Sequence, residues 1–439
     1  MEKTTTTTAQ KQNYVLPIII MFALFFMIAF VTGYQNPLGS VIKQMTGGDA
    51  IFTQLGTLAN FIAYAFMGLP AGIILQKRGY RITSIAAVSV GFVGVLITFL
   101  SQFVGDVTTS VSIYMLGAFV SGFSMCMLNT VVNPMLNSLG KDEKKGNQLV
   151  QFGGACNSLG ATLAPTVVGA LMGQNATSIA DANAVFYMAM GIFALAFLVI
   201  FFSKLPESPT LGKQQEKIDI KGAFKYRNFF LGVIAIFFYV GVEVGIANFS
   251  LQYVENYLKG NADTAATATA TAGAVAGIYW LLMLVGRLIG GSVGGKVSSR
   301  SMLAFVSVVG MLFVALAIFM PQESTISMIG IDKEHGFAIT TTILPISVLF
   351  LILCGLCTSV MWGAIFNLSV SGLGKYTQVA SGIFMVMVCG GGILPVVQGW
   401  LVGDAEVLSN YMPSFWLIFG LIAYELFYAL VGSRVKQSK

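Results

Sequence analysis

Charge is what this chain has least of. Of its 439 residues only 10% are Asp, Glu, Lys or Arg, 56% are hydrophobic, and the mean hydropathy is +0.81. A soluble domain carries about 25% charged residues, so a soluble fold is excluded and the surface must face lipid. Histidine is nearly absent: His335 is the only one, in a polar stretch. His-based triads and zinc sites are therefore unsupported. The five cysteines (Cys126, Cys156, Cys354, Cys357, Cys389) all lie inside apolar stretches and read as small packing residues. Cys354 and Cys357 form a C-x-x-C, but no second pair or histidine accompanies it. No cofactor, metal cluster or nucleophile–base arrangement emerges, so an enzyme is not expected. A secretory signal pattern is also missing. Residues 1–13 read as a polar, threonine-rich cytoplasmic tail, and the first apolar segment is long enough to act as its own insertion signal.

What is present is a succession of long apolar runs. A membrane-spanning helix needs about 20 apolar residues. Such runs have cores at 14–34, 53–75, 82–104, 111–138, 149–172 and 184–203, then at 228–256, 270–294, 301–320, 342–371, 377–402 and 410–433. This predicts two six-helix bundles, 14–203 and 228–433. A basic cytoplasmic linker over 204–227 joins them, with a short amphipathic helix or plain solvated chain, and 434–439 form a second tail. Lys77, Arg78, Arg81, Lys141, Lys144, Lys145, Lys296, Arg300, Lys375, Arg434, Lys436 and Lys439 fall on the side of the linker; Lys43, Lys259 and Lys333 fall on the other. Basic residues favour the cytoplasm, so both termini are expected there. The +6 net charge is then topological information, not a nucleic-acid footprint.

The two halves repeat each other. Met127, Asn133 and Leu139-Gly140-Lys141 recur in register as Met361, Asn367 and Leu373-Gly374-Lys375. Pro165 to Gly173 is echoed by Pro395 to Gly403, Lys77 and Arg81 by Lys296 and Arg300, and Phe25-Phe26 by Phe237-Phe238. Like-oriented repeats in a membrane protein imply a site between them and a rocking motion about it.

Candidate site residues follow from polarity within apolar helices. Asn129, Asn133 and Asn137 share one helical stripe at i, i+4 and i+8. Tyr34, Gln35 and Asn36 close the first run; Asn147, Gln148, Gln151 and Asn157 open the fifth. Asn248 and Gln252 sit in the seventh, Trp362 and Asn367 in the tenth, Gln398 in the eleventh. Amides in hydrocarbon need partners. Singly they glue helices together; as a set they favour a polar cavity suited to a hydroxyl-rich ligand. The predicted binding set is Asn36, Asn129, Asn133, Gln151, Asn248, Trp362 and Asn367, with Trp362 as a platform for an apolar sugar face. Three ionisable residues lie within runs: Glu243, Arg287 and Glu425. Such charges mark function by default. Glu243 is the candidate for ion coupling. Arg287 is expected in a structural ion pair, with Glu243 or Glu425. Gly390-Gly391-Gly392 lacks the Gly-Lys-Ser/Thr of a phosphate loop and reads as close helix packing.

Twelve runs, a basic linker after the sixth, and Gly72…Lys77-Arg78-Gly79…Arg81 between the second and third resemble the major facilitator superfamily. Gln76 stands where the superfamily has an Asp, which weakens the expected charge latch. Within it, the chain resembles the fucose–proton symporter family, which includes bacterial glucose/galactose permeases. The stretches that carry this are Phe25-Phe26 to Gln35-Asn36, Leu128 to Pro134, Tyr239 to Gly245, Ile365-Phe366 to Tyr376, Tyr279-Trp280 to Arg287, and Gly390 to Pro395. The resemblance implies an all-α membrane protein of twelve transmembrane helices in two pseudo-symmetric bundles, in the bacterial inner membrane.

The same resemblance implies transport of a monosaccharide by alternating access, with the lipid bilayer as a partner and a monomeric state. It also sharpens three departures. Family symporters carry acids where this chain has Asn36 and Asn129, and a Gln where it has Gly154. An amide keeps its hydrogen bonds but releases no proton. The expectation is therefore uniport, slightly favoured, or symport with a proton or sodium ion through Glu243 or another site. An exporter of amphipathic compounds and a transporter-derived sensor are the rival readings.

Overall fold

The computed structural model describes residues 14–48, 50–140, 143–172, 176–207, 220–265, 267–293, 297–332, 338–373 and 376–434. Among them, twelve helices are long and apolar enough to cross a membrane. The first six are span 1 (Val15–Thr46), span 2 (Ala50–Leu75), span 3 (Lys77–Phe103), span 4 (Val107–Leu136), span 5 (Phe152–Met172) and span 6 (Ile179–Phe202). The second six are span 7 (Arg227–Lys259), span 8 (Ala268–Val293), span 9 (Ser299–Phe319), span 10 (Ile346–Val370), span 11 (Gly382–Val402) and span 12 (Leu408–Gly432). In lipid every backbone N–H and C=O must be satisfied within the segment, which is why such runs form helices. The expected two-bundle, all-α architecture is thus found.

Burial ranks the spans. The most apolar windows of spans 4, 7 and 10 are 61% buried and those of spans 6 and 9 only 28%. Spans 4, 7 and 10 therefore lie inside, where amides can find partners, while Leu195 and Phe202 of span 6 and Phe305 and Leu312 of span 9 are exposed, as lipid-facing side chains should be.

The halves meet where span 5 crosses span 8 and span 2 crosses span 11. A side chain at Gly273 would place its Cβ 2.8 Å from the Pro165 carbonyl oxygen, so glycine is what lets these two backbones touch. At the ends of spans 2 and 11, the Ala50 amide donates to the Gly403 carbonyl at 2.9 Å.

Spans 2 and 3 turn at Gly79, whose φ of 78° suits glycine. The adjacent Tyr80 amide donates to Glu207 Oε2 at 2.8 Å. An acid from the chain leaving span 6 thus ties down the basic turn; the side chain of Gln76 lies outside the described residues. The linker contains a short helix, Ile220–Phe224. Residues 208–219 of the linker, both tails beyond 14 and 434, His335, Lys141, Lys296 and Lys375 lie outside the described residues.

One element differs from the sequence expectation. Residues 342–345, read as the start of span 10, belong to a hairpin of β1 (Thr325–Asp332) and β2 (Ala338–Pro345), paired antiparallel with Ile329 opposite Thr341. Thr340, Thr341, Thr342 and Ile343 are β-branched and favour extended chain. Pro345, with ψ 139°, then starts the helix at Ile346.

Candidate functional site

Asn129 and Asn133 stand one turn apart on span 4, both half-buried. Asn129 Nδ2 donates to the Tyr64 hydroxyl of span 2 at 3.1 Å and to the Met125 carbonyl at 3.1 Å. Asn133 Nδ2 donates to the Asn129 carbonyl at 3.0 Å. Both amides have one partner set locally, and among the described residues no hydrogen bond to either side-chain carbonyl oxygen is formed. On span 10, Trp362 is half-buried, its ring centroid 6.1 Å from that of Tyr239 on span 7 and tilted by 60°. Asn367, one turn and a half further on, is exposed. Asn36 is placed in the second part of span 1 and Gln151 near the start of the helix Glu143–Met172; their side chains lie outside the described residues.

Asn248, expected in the binding set, spans the two halves in this structure. It is buried, and its Nδ2 donates to Gln54 Oε1 at 2.7 Å, from span 7 to span 2. The amide is consumed by a bond between the halves. Gln398 is likewise buried, donating to Ser414 Oγ of span 12 at 3.3 Å. Asn157 Nδ2 donates to the Phe25 carbonyl of span 1 at 3.0 Å. These are the helix-gluing amides.

Arg287 and Glu243 form the charged part of the site. Arg287 Nη2 lies 4.0 Å from Glu243 Oε1, with both side chains largely buried. Its stronger bonds go to the other half: Nη1 donates to the Gly154 carbonyl at 2.7 Å and to Ser158 Oγ at 2.9 Å, both on span 5. The Tyr279 hydroxyl of span 8 contacts the Glu243 carbonyl at 3.3 Å and Thr358 Oγ1 at 3.0 Å. The ion pair of Arg287 thus falls to Glu243. Glu425 of span 12 is fully buried, and neither carboxylate oxygen has a hydrogen-bond partner among the described residues. The reason is geometric: span 8 packs on spans 5, 7 and 10, while span 12 packs on spans 7, 9 and 11.

At the end of the molecule opposite the basic turn, Glu255 of span 7 is a buried hub. Ser40 Oγ of span 1 donates to Oε2 at 2.9 Å, while Lys259 Nζ at 2.7 Å and Thr269 Oγ1 at 3.0 Å donate to Oε1. A cleft of about 30 Å³ lies beside it, lined by Lys43, Gln44, Thr53, Gln252 and Asn256 among others. Among the described residues, hydrogen bonds between the halves join spans 1 and 7, 2 and 7, 2 and 11, and 5 and 8. None joins span 4 to span 10, so the amides of span 4 and the ring of Trp362 are not tied to each other.

Sequence reasoning missed Gln54, Tyr64, Ser158 and Glu255. Only Glu255 left a local signal, its i,i+4 spacing from Lys259. The others are single polar residues whose partners lie far away in the chain.

Comparison with known proteins places this arrangement. A model of the Major Facilitator Superfamily matches residues 21–396. A glucose/galactose transporter of Brucella abortus is 30% identical over 440 residues, covering 98% of this chain and 97% of its own. An L-fucose-proton symporter of Haemophilus influenzae is 21% identical, covering 97% of each chain. The crystal structure of a Major Facilitator Superfamily transporter, FucP, in the outward conformation superimposes with a TM-score of 0.63 at 18% identity, covering 94% of this chain and 99% of that one.

Proposed function

We propose, from the premise that this chain belongs to the Major Facilitator Superfamily, that it carries a monosaccharide across the bacterial inner membrane by alternating access. As a member it is a multi-pass membrane transporter of small solutes. The observation that carries the sugar reading is the neutrality of the polar groups on spans 4 and 10. Asn129, Asn133 and Asn367 bring amides, Tyr64 a hydroxyl and Trp362 an apolar ring face. Amides offer both donors and acceptors to a polyhydroxylated ligand, and hydroxyl-matching sites discriminate strongly against analogues that lack the hydroxyl. The names of the relatives, glucose/galactose transporter and L-fucose-proton symporter, support the same class of cargo.

Binding is assigned to Asn129, Asn133, Trp362 and Asn367, together with Asn36 and Gln151. Asn248 serves in this reading as a contact between halves. Glu243 is the coupling acid, because it is a carboxyl at the middle of an inner span with the Arg287 cation 4.0 Å away. Both termini face the cytoplasm, on the side of Lys77, Arg78, Arg81, Arg227, Arg300 and Arg434.

Purified protein in proteoliposomes tests this. Radiolabelled hexoses are offered under an imposed proton gradient and then a sodium gradient. Saturable uptake of a hexose is expected, with gradient-driven accumulation lost in Glu243→Gln. Saturable uptake that only equilibrates would make the chain a uniporter. Accumulation that survives Glu243→Gln would remove Glu243 from coupling, and no hexose uptake in any condition would sink the sugar reading.

A further inference from the structure

Arg287 is the only described cation within ion-pair reach of Glu243, yet its two short bonds are made to the opposite half. We propose that Arg287 is the positioning residue through which the charge on Glu243 sets how tightly the two halves are clamped at their basic end. This rests on the reading of Glu243 as coupling acid, but not on the identity of the cargo.

The geometry is that of one guanidinium between two competitors. On one side stand a backbone carbonyl and a hydroxyl of span 5, at 2.7 and 2.9 Å; on the other stands the carboxyl of span 7, at 4.0 Å and outside hydrogen-bond range. Gly154 leaves the guanidinium its place: a Cβ there would already stand 3.5 Å from Nη1, and a longer side chain would occupy the same space. Arg287 and Gly154 both lie in the halves of their spans nearer the basic turn, so the clamp acts at that end.

An ionised Glu243 attracts Arg287 and competes with span 5. A protonated Glu243 loses that attraction, and Arg287 is left to span 5 alone. Proton uptake at Glu243 therefore tightens the basic end, and proton release loosens it. The sign suits a carrier that loads from the opposite side and discharges at the basic side. The other titratable groups facing this pair are Tyr239, one turn before Glu243 on span 7, and Tyr279 on span 8. On span 10, Cys354 and Cys357 flank Thr358, which Tyr279 meets. At this level span 5 presents Gly154 and Ser158, with the Cys156 thiol between them in the chain, and span 11 presents Leu394 and Gln398.

Hydrogen–deuterium exchange of the full chain in lipid nanodiscs, without any substrate, tests this. Exchange in residues 150–160 and 284–292 is read between pH 5.5 and 8.5 and corrected for the intrinsic rate. In the wild type it is expected to rise roughly tenfold with pH, the size set by a hydrogen bond to a charged group. Glu243→Gln should hold the low-pH protection throughout. Arg287→Gln should exchange fast throughout, and Arg287→Lys should recover part of the pH dependence. Protection elsewhere in the chain shows that each variant is folded. A flat wild-type profile, or a Glu243→Gln profile that still follows pH, would overturn the proposal. So would unchanged protection in Arg287→Gln. Because no sugar is present, failure here is distinct from failure of the cargo assignment.

Discussion

Ser40 Oγ on span 1 donates to Glu255 Oε2 on span 7 at 2.9 Å, joining the two halves at the end opposite the basic turn. For a carrier that opens each end in turn, this bond must break whenever that end opens. Ser40→Ala is expected to shift the equilibrium toward opening there by roughly tenfold to a hundredfold, since a hydrogen bond to a charged group contributes about 1.5–3 kcal/mol, while Lys259 and Thr269 still hold the carboxylate. The measurement is the rate at which Gln44→Cys, beside the cleft, reacts with a membrane-impermeant maleimide. An unchanged rate would show that Ser40 does not hold the end closed.

Asn129 is held by Tyr64, so either can be removed to test the amide's part in binding. Asn129→Ala should raise KM for the transported sugar by about threefold to tenfold, from one net hydrogen bond of about 0.5–1.5 kcal/mol. Tyr64→Phe should do less, because Asn129 keeps its bond to the Met125 carbonyl. Initial-rate uptake in whole cells checks both, and equal losses in the two variants would point to a structural role for the pair.

Trp362 packs against Tyr239, and in the proposed site its remaining ring surface would meet the cargo. Trp362→Ala should weaken sugar binding by about threefold to tenfold, and Trp362→Phe should restore most of it, as expected for ring contacts of about 0.5–1.5 kcal/mol. Thermal-shift titration reads this as a displaced ligand dependence of Tm. If Trp362→Ala lowers Tm equally with and without sugar, the ring is core packing alone.

Asp106 precedes the helix of span 4 and accepts from the Thr109 amide at 2.8 Å and the Thr109 hydroxyl at 2.7 Å. These bonds to the charged form hold its carboxyl below the usual carboxylate range. A depressed group stabilises the fold above its unfolded value, and that stability is lost as pH falls through the folded value. Asp106→Asn should therefore lower Tm slightly at pH 7, with the gap to wild type closing in strong acid. A gap that persists at pH 2 would mean that the carboxylate charge is irrelevant to this cap.

The sequence is easiest to read where a property is local. Leu195 and Phe202 lie in an unbroken apolar run, and such runs cannot satisfy their backbone in lipid except as helices. The stripe of Asn129 and Asn133 is legible because helical spacing alone puts them on one face. The hairpin at 325–345 was not legible: residues 342–345 read as the start of the following apolar run, and only pairing with residues before them makes them strand. Asn248 was legible as polar but not as consumed, because Gln54 is brought to it by the contact of two halves.

Hydropathy, charge placement and internal repetition were sufficient to determine that this chain crosses a bilayer twelve times in two matching sets, and that its inner helices carry amides. Those are properties of short segments and their order. Which acid Arg287 faces, that Ser40 closes on Glu255, and that Asn248 bonds across the halves to Gln54 were decided only by tertiary packing. Each depends on a distance between helices far apart in the chain, and no periodicity within one helix encodes the rotation of another.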